Sequence, residues 1–264
     1  MKLTASGGCV NAGLRTSTAL LLLWGLWTPV ASAQESVELS VDLTQQVTLH
    51  EPIVFSYTLT NVSNSDKRVT AGRDRIGAFE FAVDGPDRRR QVFRYDGAEG
   101  GSRTDPFVVR QGRGYSQVVA LGSWIDFSRV GTYSVAVRFL GGVVAGEESA
   151  RMGILLINEA TLRFNVQVLP RDAARLRATC ERLYADSWKL NVQDALDAKQ
   201  QLGTIKDVIA IPYLESLLEA KRAEVFLVMA EIGGPEARAA LERLAASEDI
   251  QTSRAAAETL KRIK

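Results

Sequence analysis

The chain has 264 residues, of which 46% are hydrophobic and 24% charged. That is the balance of a globular protein with room for one large or two ordinary domains. The formal net charge is +1, and without residues 1–33 it would be −1, with 30 basic against 31 acidic residues; neither value points to nucleic acid or an anionic membrane as partner. A single histidine and two cysteines leave little material for a zinc site or a Cys–His nucleophile.

The first 33 residues have the layout of a secretory leader. Lys2 and Arg15 precede a short apolar run, Ala19 to Trp27, and Ala31-Ser32-Ala33 supplies small residues at the positions a signal peptidase reads. The run is well below the roughly 20 residues that span a bilayer, so cleavage before Gln34 and export, to a bacterial periplasm, are expected. Secretion, or anchoring by an uncleaved leader, is the alternative. Cys9 lies ahead of the apolar run, on the wrong side for bacterial lipid attachment. Cleavage leaves Cys180 alone, with no intramolecular disulfide. It sits among Leu176, Leu183 and Tyr184 at helical spacing, as a small buried hydrophobe would.

From about 35 to 169 the pattern has a period of two. Val37, Leu39, Val41 and Leu43 alternate with polar residues, as do Ile53 to Leu59, Tyr133 to Phe139 and Leu162 to Val168. Such alternation predicts half-buried strands. Turn chemistry separates them at 61–66, 84–87, 96–97 and 100–101. About seven short strands without helical spacing between them predict a β-sandwich. Two patterns sharpen this. Pro52 opens the strand Ile53–Thr60, which Asn61 closes, and Gly131-Thr132-Tyr133 resembles a tyrosine corner, in which the hydroxyl bonds upstream backbone. In this order they resemble bacterial immunoglobulin-like domains, without the cysteine pair of antibody domains. Gly141 to Ile157 is expected to form a hairpin between the last two strands, with Ile154-Leu155-Leu156-Ile157 buried in preference to an exposed partner-binding edge.

After Leu169-Pro170 the period becomes 3.6, over 171–264. Six helices are predicted: one from Arg171, one over Val192–Leu202, one over Val208–Leu218 with Pro212 in its first turn, one over Ala223–Ile232, one from Pro235 and one over Thr252–Ile263. In the second, Ala195, Leu196, Ala198 and Lys199 are placed inside. Gln201-Leu202-Gly203 and Glu231-Ile232-Gly233 end the second and fourth helices 30 residues apart, and Leu214 and Leu217 correspond to Leu241 and Leu244, 27 residues on. This echo resembles short bacterial HEAT-like repeats, about three helix pairs, with the first pair, around Trp188, as an atypical cap. A six-helix bundle without superhelical order is the alternative. The resemblance implies a surface for proteins, sought first on the helices after Val192, Ala223 and Thr252.

No catalytic, cofactor or metal-binding residues are assigned. His50, beside Glu51-Pro52, is read as a surface or turn residue. Arg88-Arg89-Arg90, after Gly85-Pro86-Asp87, reads as a solvated hairpin tip, and is the one candidate contact for an anion or an acidic partner. The expectation is therefore an exported, non-enzymatic protein-binding or scaffold protein: an immunoglobulin-like β-sandwich followed by a short HEAT-like α-helical solenoid. Its partner would be a protein or peptide. A glycan- or peptide-binding sandwich with supporting helices is the second reading.

Overall fold

The computed structural model describes residues 37–94, 106–145, 153–156, 161–218 and 224–263. The expected leader and the Asp96–Gly101 turns lie outside them. The strands are β1 (Val37–Leu43), β2 (Gln46–Thr48), β3 (Val54–Asn61), β4 (Lys67–Thr70), β5 (Phe79–Asp84), β6 (Arg90–Arg94), β7 (Phe107–Val109), β8 (Gly114–Ala120), β9 (Gly131–Phe139), β10 (Gly142–Ala145), β11 (Gly153–Leu156) and β12 (Thr161–Leu169).

Three sheets form, in the orders β1-β3-β8, β2-β12-β9-β5-β6 and β11-β10-β4-β7. The first alternating segment, Val37 to Leu43, is β1. β1 pairs antiparallel with β3, and after Thr44 the chain crosses to pair β2 in parallel with β12. Two layers joined by this crossing between β1 and β2, with β12 held between β2 and β9, are immunoglobulin-like sandwich topology. The period-two pattern sets the core. Phe55, Tyr57, Phe79 and Phe81 are fully buried, with Phe55 edge-on to Phe81 at 5.0 Å between ring centroids. Each such ring contributes about 1.5–3 kcal/mol by burial.

Local chemistry fixes the loops. Asn61 is buried. Its amide donates to the Ser65 and Val109 carbonyls at 2.9 and 2.8 Å, and its oxygen accepts from the Ser63 backbone and hydroxyl. It thus replaces the ladder where the strand stops. The tyrosine corner is present: the Tyr133 hydroxyl donates to the Arg129 carbonyl and accepts from its amide, both at 3.1 Å. Gly131, two residues earlier, has φ 140°, and a Cβ there would fall 2.6 Å from Pro86 Cβ, so the corner requires glycine. β10 and β11 form the hairpin expected between β9 and β12, with β11 at the outer end of its sheet. The expected burial of Ile154-Leu155-Leu156-Ile157 concerns side chains outside those described.

Six helices follow: α1 (Ala173–Asp186), α2 (Val192–Leu202), α3 (Ile211–Leu218), α4 (Glu224–Ile232), α5 (Gly234–Ala245) and α6 (Ile250–Leu260). Asp172, Asn191 and Asp249 cap α1, α2 and α6, their side chains accepting backbone N–H bonds of the first turn. α1 packs on α2 and α3, α3 on α4 and α5, and α4 and α5 on α6. The buried stripe of α2 is Ala195, Ala198 and Leu202. Leu196, expected inside, is exposed, and Lys199 is half-buried. With aliphatic residues on two sides of the helix, spacing alone does not identify the packed side. The two apolar-glycine steps also differ: Gly233 is left-handed at φ 64°, whereas Gly203 continues right-handed at φ −66°.

Candidate interaction surface

The helices are bolted to one corner of the sandwich, and the bolt defines what remains free. Thr48, at the end of β2, donates to the Pro170 carbonyl and accepts from the Asp172 amide, both at 2.7 Å. Glu51 accepts from the Thr48 amide and from the Thr179 hydroxyl, at 2.9 Å each, and pairs with Arg175 at 2.7 Å. Arg175 also donates to the Gln46 carbonyl at 3.1 Å. The Arg171 guanidinium holds Asp207 by two bonds, of 2.5 and 2.9 Å, and Asp207 caps the 3-10 turn Val208–Ala210 that leads into α3. On the other side of the seam Gly122 lies against Thr204, where a Cβ would sit 3.4 Å from the threonine's own.

His50 stands in this seam. The Glu51 amide bonds the Thr48 carbonyl at 2.9 Å, closing a turn in which His50 has φ 73°, a position usually given to Gly or Asn. Its ring is half-buried and its pKa is lowered from 6.5 by burial, with Asp207 opposing and Arg171 and Lys206 reinforcing the shift. It is thus a turn residue, half-buried against the seam. The Arg171 hydrogen bond holds the Asp207 carboxyl below its usual value against the effect of its burial. The seam holds a pocket of about 80 Å³, open to solvent, lined by His50, Pro52, Asp126, Ser128, Thr204 and Lys206 among others. That volume suits a few waters and falls well short of an organic substrate. Cys180 is fully buried, and burial, helped by the Asp207 and Glu181 charges, pushes its thiol up to about 12, so it is not a nucleophile at neutral pH.

The three arginines of the predicted basic cluster lie on the β5–β6 turn and the start of β6. Gly85 and Arg89 close the β5–β6 turn, the Gly85 amide donating to the Arg89 carbonyl at 3.0 Å. Arg88 is left-handed at φ 60°, and Asp87 both accepts from the Arg89 amide and pairs with Arg129 at 3.3 Å. Arg90 belongs to β6, opposite Asp84. All three are exposed, but the turn geometry needs no ligand to explain it.

The α1–α2 corner is different. Trp188 is 53% exposed, Leu190 102% and Val192 71%, and Leu196 adds 38%. Val192, Leu196 and Lys199 share one side of α2 at helical spacing. The Lys199 ammonium stands 5.4 Å from the Trp188 ring centroid, so the tryptophan lies over the same stripe. Tyr184 abuts it edge-on at 6.1 Å. Four exposed apolar side chains thus fall within nine residues of chain at this corner. The sequence reading named Trp188 and placed a partner face after Val192. It missed the patch because Leu196 was assigned to the core.

Among the described residues, no helix is long and apolar enough to cross a membrane, and no three His, Cys, Asp or Glu side chains group as a metal site. No family model matches the chain, and no curated protein does. Solved structures similar to about half of it include the CARDB domain of the PF1109 protein from Pyrococcus furiosus in complex with di-metal ions, at 9% identity and TM-score 0.28, over 50% of this chain and 87% of that one. A putative ApaA protein from Bordetella pertussis aligns at 13% identity and TM-score 0.26, over 52% and 95%. The Pseudomonas fluorescens alkylpurine DNA glycosylase AlkC, bound to DNA containing an abasic site analog, aligns at 14% and 0.25, over 50% and 31%. At these TM-scores the sandwich assignment rests on strand order and register.

Proposed function

We propose that the chain is an exported, non-enzymatic binding protein of a bacterial periplasm, cleaved before Gln34, which docks another protein at the α1–α2 corner. The observation that carries this is the cluster in sequence of exposed apolar residues Trp188, Leu190, Val192 and Leu196, within nine residues of chain. Grouped exposed apolar residues mark interaction sites, and tryptophan is enriched where binding energy concentrates. In this reading the helices are a short HEAT-like array. The packing of α3 between α1 and α5, and of α4 on α6, supports it. The seam bonds from Thr48, Glu51 and Arg171 then hold the corner in a fixed direction relative to the sandwich. The test is recovery of a partner from the native host by the wild-type chain, by Trp188→Ala/Leu190→Ser, and by Val108→Ser, which alters an exposed valine of β7. The corner variant should lose the partner that the β7 variant keeps, with affinity lower by about 30-fold or more. Equal recovery by all three would contradict the assignment.

A further inference from the structure

The outward face of the five-stranded sheet carries a feature that the corner reading does not use. On β5 and β9 the central outward positions are Ala82 and Ala136, which are paired directly. Alanine is depleted in strands, where a branched or aromatic side chain would cover the sheet; two of them side by side on central strands leave a dip. The depression is about 280 Å³, walled by Glu80, Asp84, Arg90, Arg138, Thr161 and Arg163. Register places the charges. Arg138 is opposite Glu80 at one end, Arg90 is opposite Asp84 at the other, and Arg163 flanks Ala136 on β12. Directly opposed unlike charges ordinarily attract across a strand pair, and elsewhere this chain pairs them readily, as in Arg129–Asp87 and Arg243–Glu215. Yet among the described residues none of these five makes an ion pair. Both ends of the dip therefore present an unengaged guanidinium next to an unengaged carboxylate.

The two ends are four residues apart along each strand, roughly 13 Å at strand rise, which is the length of about four extended residues. A guanidinium matches a carboxylate in a two-bond fork, and a carboxylate accepts from an ammonium. The alanine floor admits a backbone with small side chains. Glu80 and Asp84 repel a dense polyanion, which argues against sulfated glycans and phosphates. An outward aromatic platform on which a sugar would stack is absent from this lining. We propose that this depression binds a short extended peptide of three or four small residues with free termini, its carboxylate and ammonium at opposite ends. The proposal is independent of the corner surface.

The test is amide-resolved NMR titration of the full chain with trialanine, with N-acetyl-trialanine amide and with sulfate. Trialanine should give saturable shifts on β5, β9 and β12, and the blocked peptide and sulfate should not. Ala136→Leu fills the floor with a residue that a strand accommodates, and should weaken trialanine by about tenfold or more at unchanged melting temperature. Arg163→Ala, at an exposed position, should also weaken it, which keeps the test open if the leucine variant fails to fold. Absence of saturable shifts, equal binding of the blocked peptide, binding of sulfate at the same amides, or undiminished binding by both variants would each overturn the proposal.

Discussion

His50 is the chain's one histidine, so stability between about pH 5.5 and 7.5 reports on it alone among the side chains of ordinary pKa. Burial lowers its pKa in the folded chain, so the unfolded chain binds the proton more readily. Stability from this source is complete above pH 6.5 and falls as pH drops through the folded value. The melting temperature should decline over that range, and His50→Asn, which tolerates the left-handed backbone, should flatten the decline. Asp207, lowered chiefly by the Arg171 hydrogen bond, acts lower: its contribution stands above pH 3.8 and is lost below it. At Cys180 the expectation is kinetic. In a chain beginning at Gln34 its thiol should resist Ellman's reagent in native buffer and react once on unfolding, because it is fully buried and its pKa is pushed up to about 12. Rapid native labelling would show that the α1–α3 core opens readily.

Among the elements, the Thr48–Glu51 turn sets the geometry of the whole. Glu51 serves the Thr48 amide, the Thr179 hydroxyl and Arg175 at once. Glu51→Ala removes bonds to a charged acceptor and strands Thr179, which is buried. It should cost about 2 kcal/mol, or roughly 4–8 °C in melting temperature, whereas Glu258→Ala, an exposed helix-surface carboxylate, should leave it near the wild-type value. Much of the element order was legible beforehand. Period-two runs became β1, β3, β9 and β12, the tyrosine corner fell where Gly131-Thr132-Tyr133 placed it, and α2 and α4 end at Leu202 and Ile232. Legibility failed where tertiary contact decides. Residues 46–48 carry too short a pattern to assign, and only pairing with β12 shows the switch between layers. The seam was unreadable because Glu51 lies more than 120 residues from its partners Arg175 and Thr179 and no local signature links them. Leu196 was misplaced because α2 has aliphatic residues on more than one side, and the depression over Ala82 and Ala136 depends on a strand pairing that sequence spacing does not give.

At the scale of the molecule, the sandwich and the six helices share a seam with hydrogen bonds and two buried or half-buried ion pairs, so the α1–α2 corner points in a direction fixed by the fold. The corner cluster then has a rigid mounting, which lowers the ordering cost of binding. The most direct measurement is site-specific photo-crosslinking in the native host, with a photoreactive residue at Leu190 and, as control, at Val108 on β7. The account predicts a discrete crosslinked species from Leu190 that is absent from Val108 and disappears when Trp188→Ala is added. A crosslink of equal yield from both positions, or none from Leu190, would contradict it.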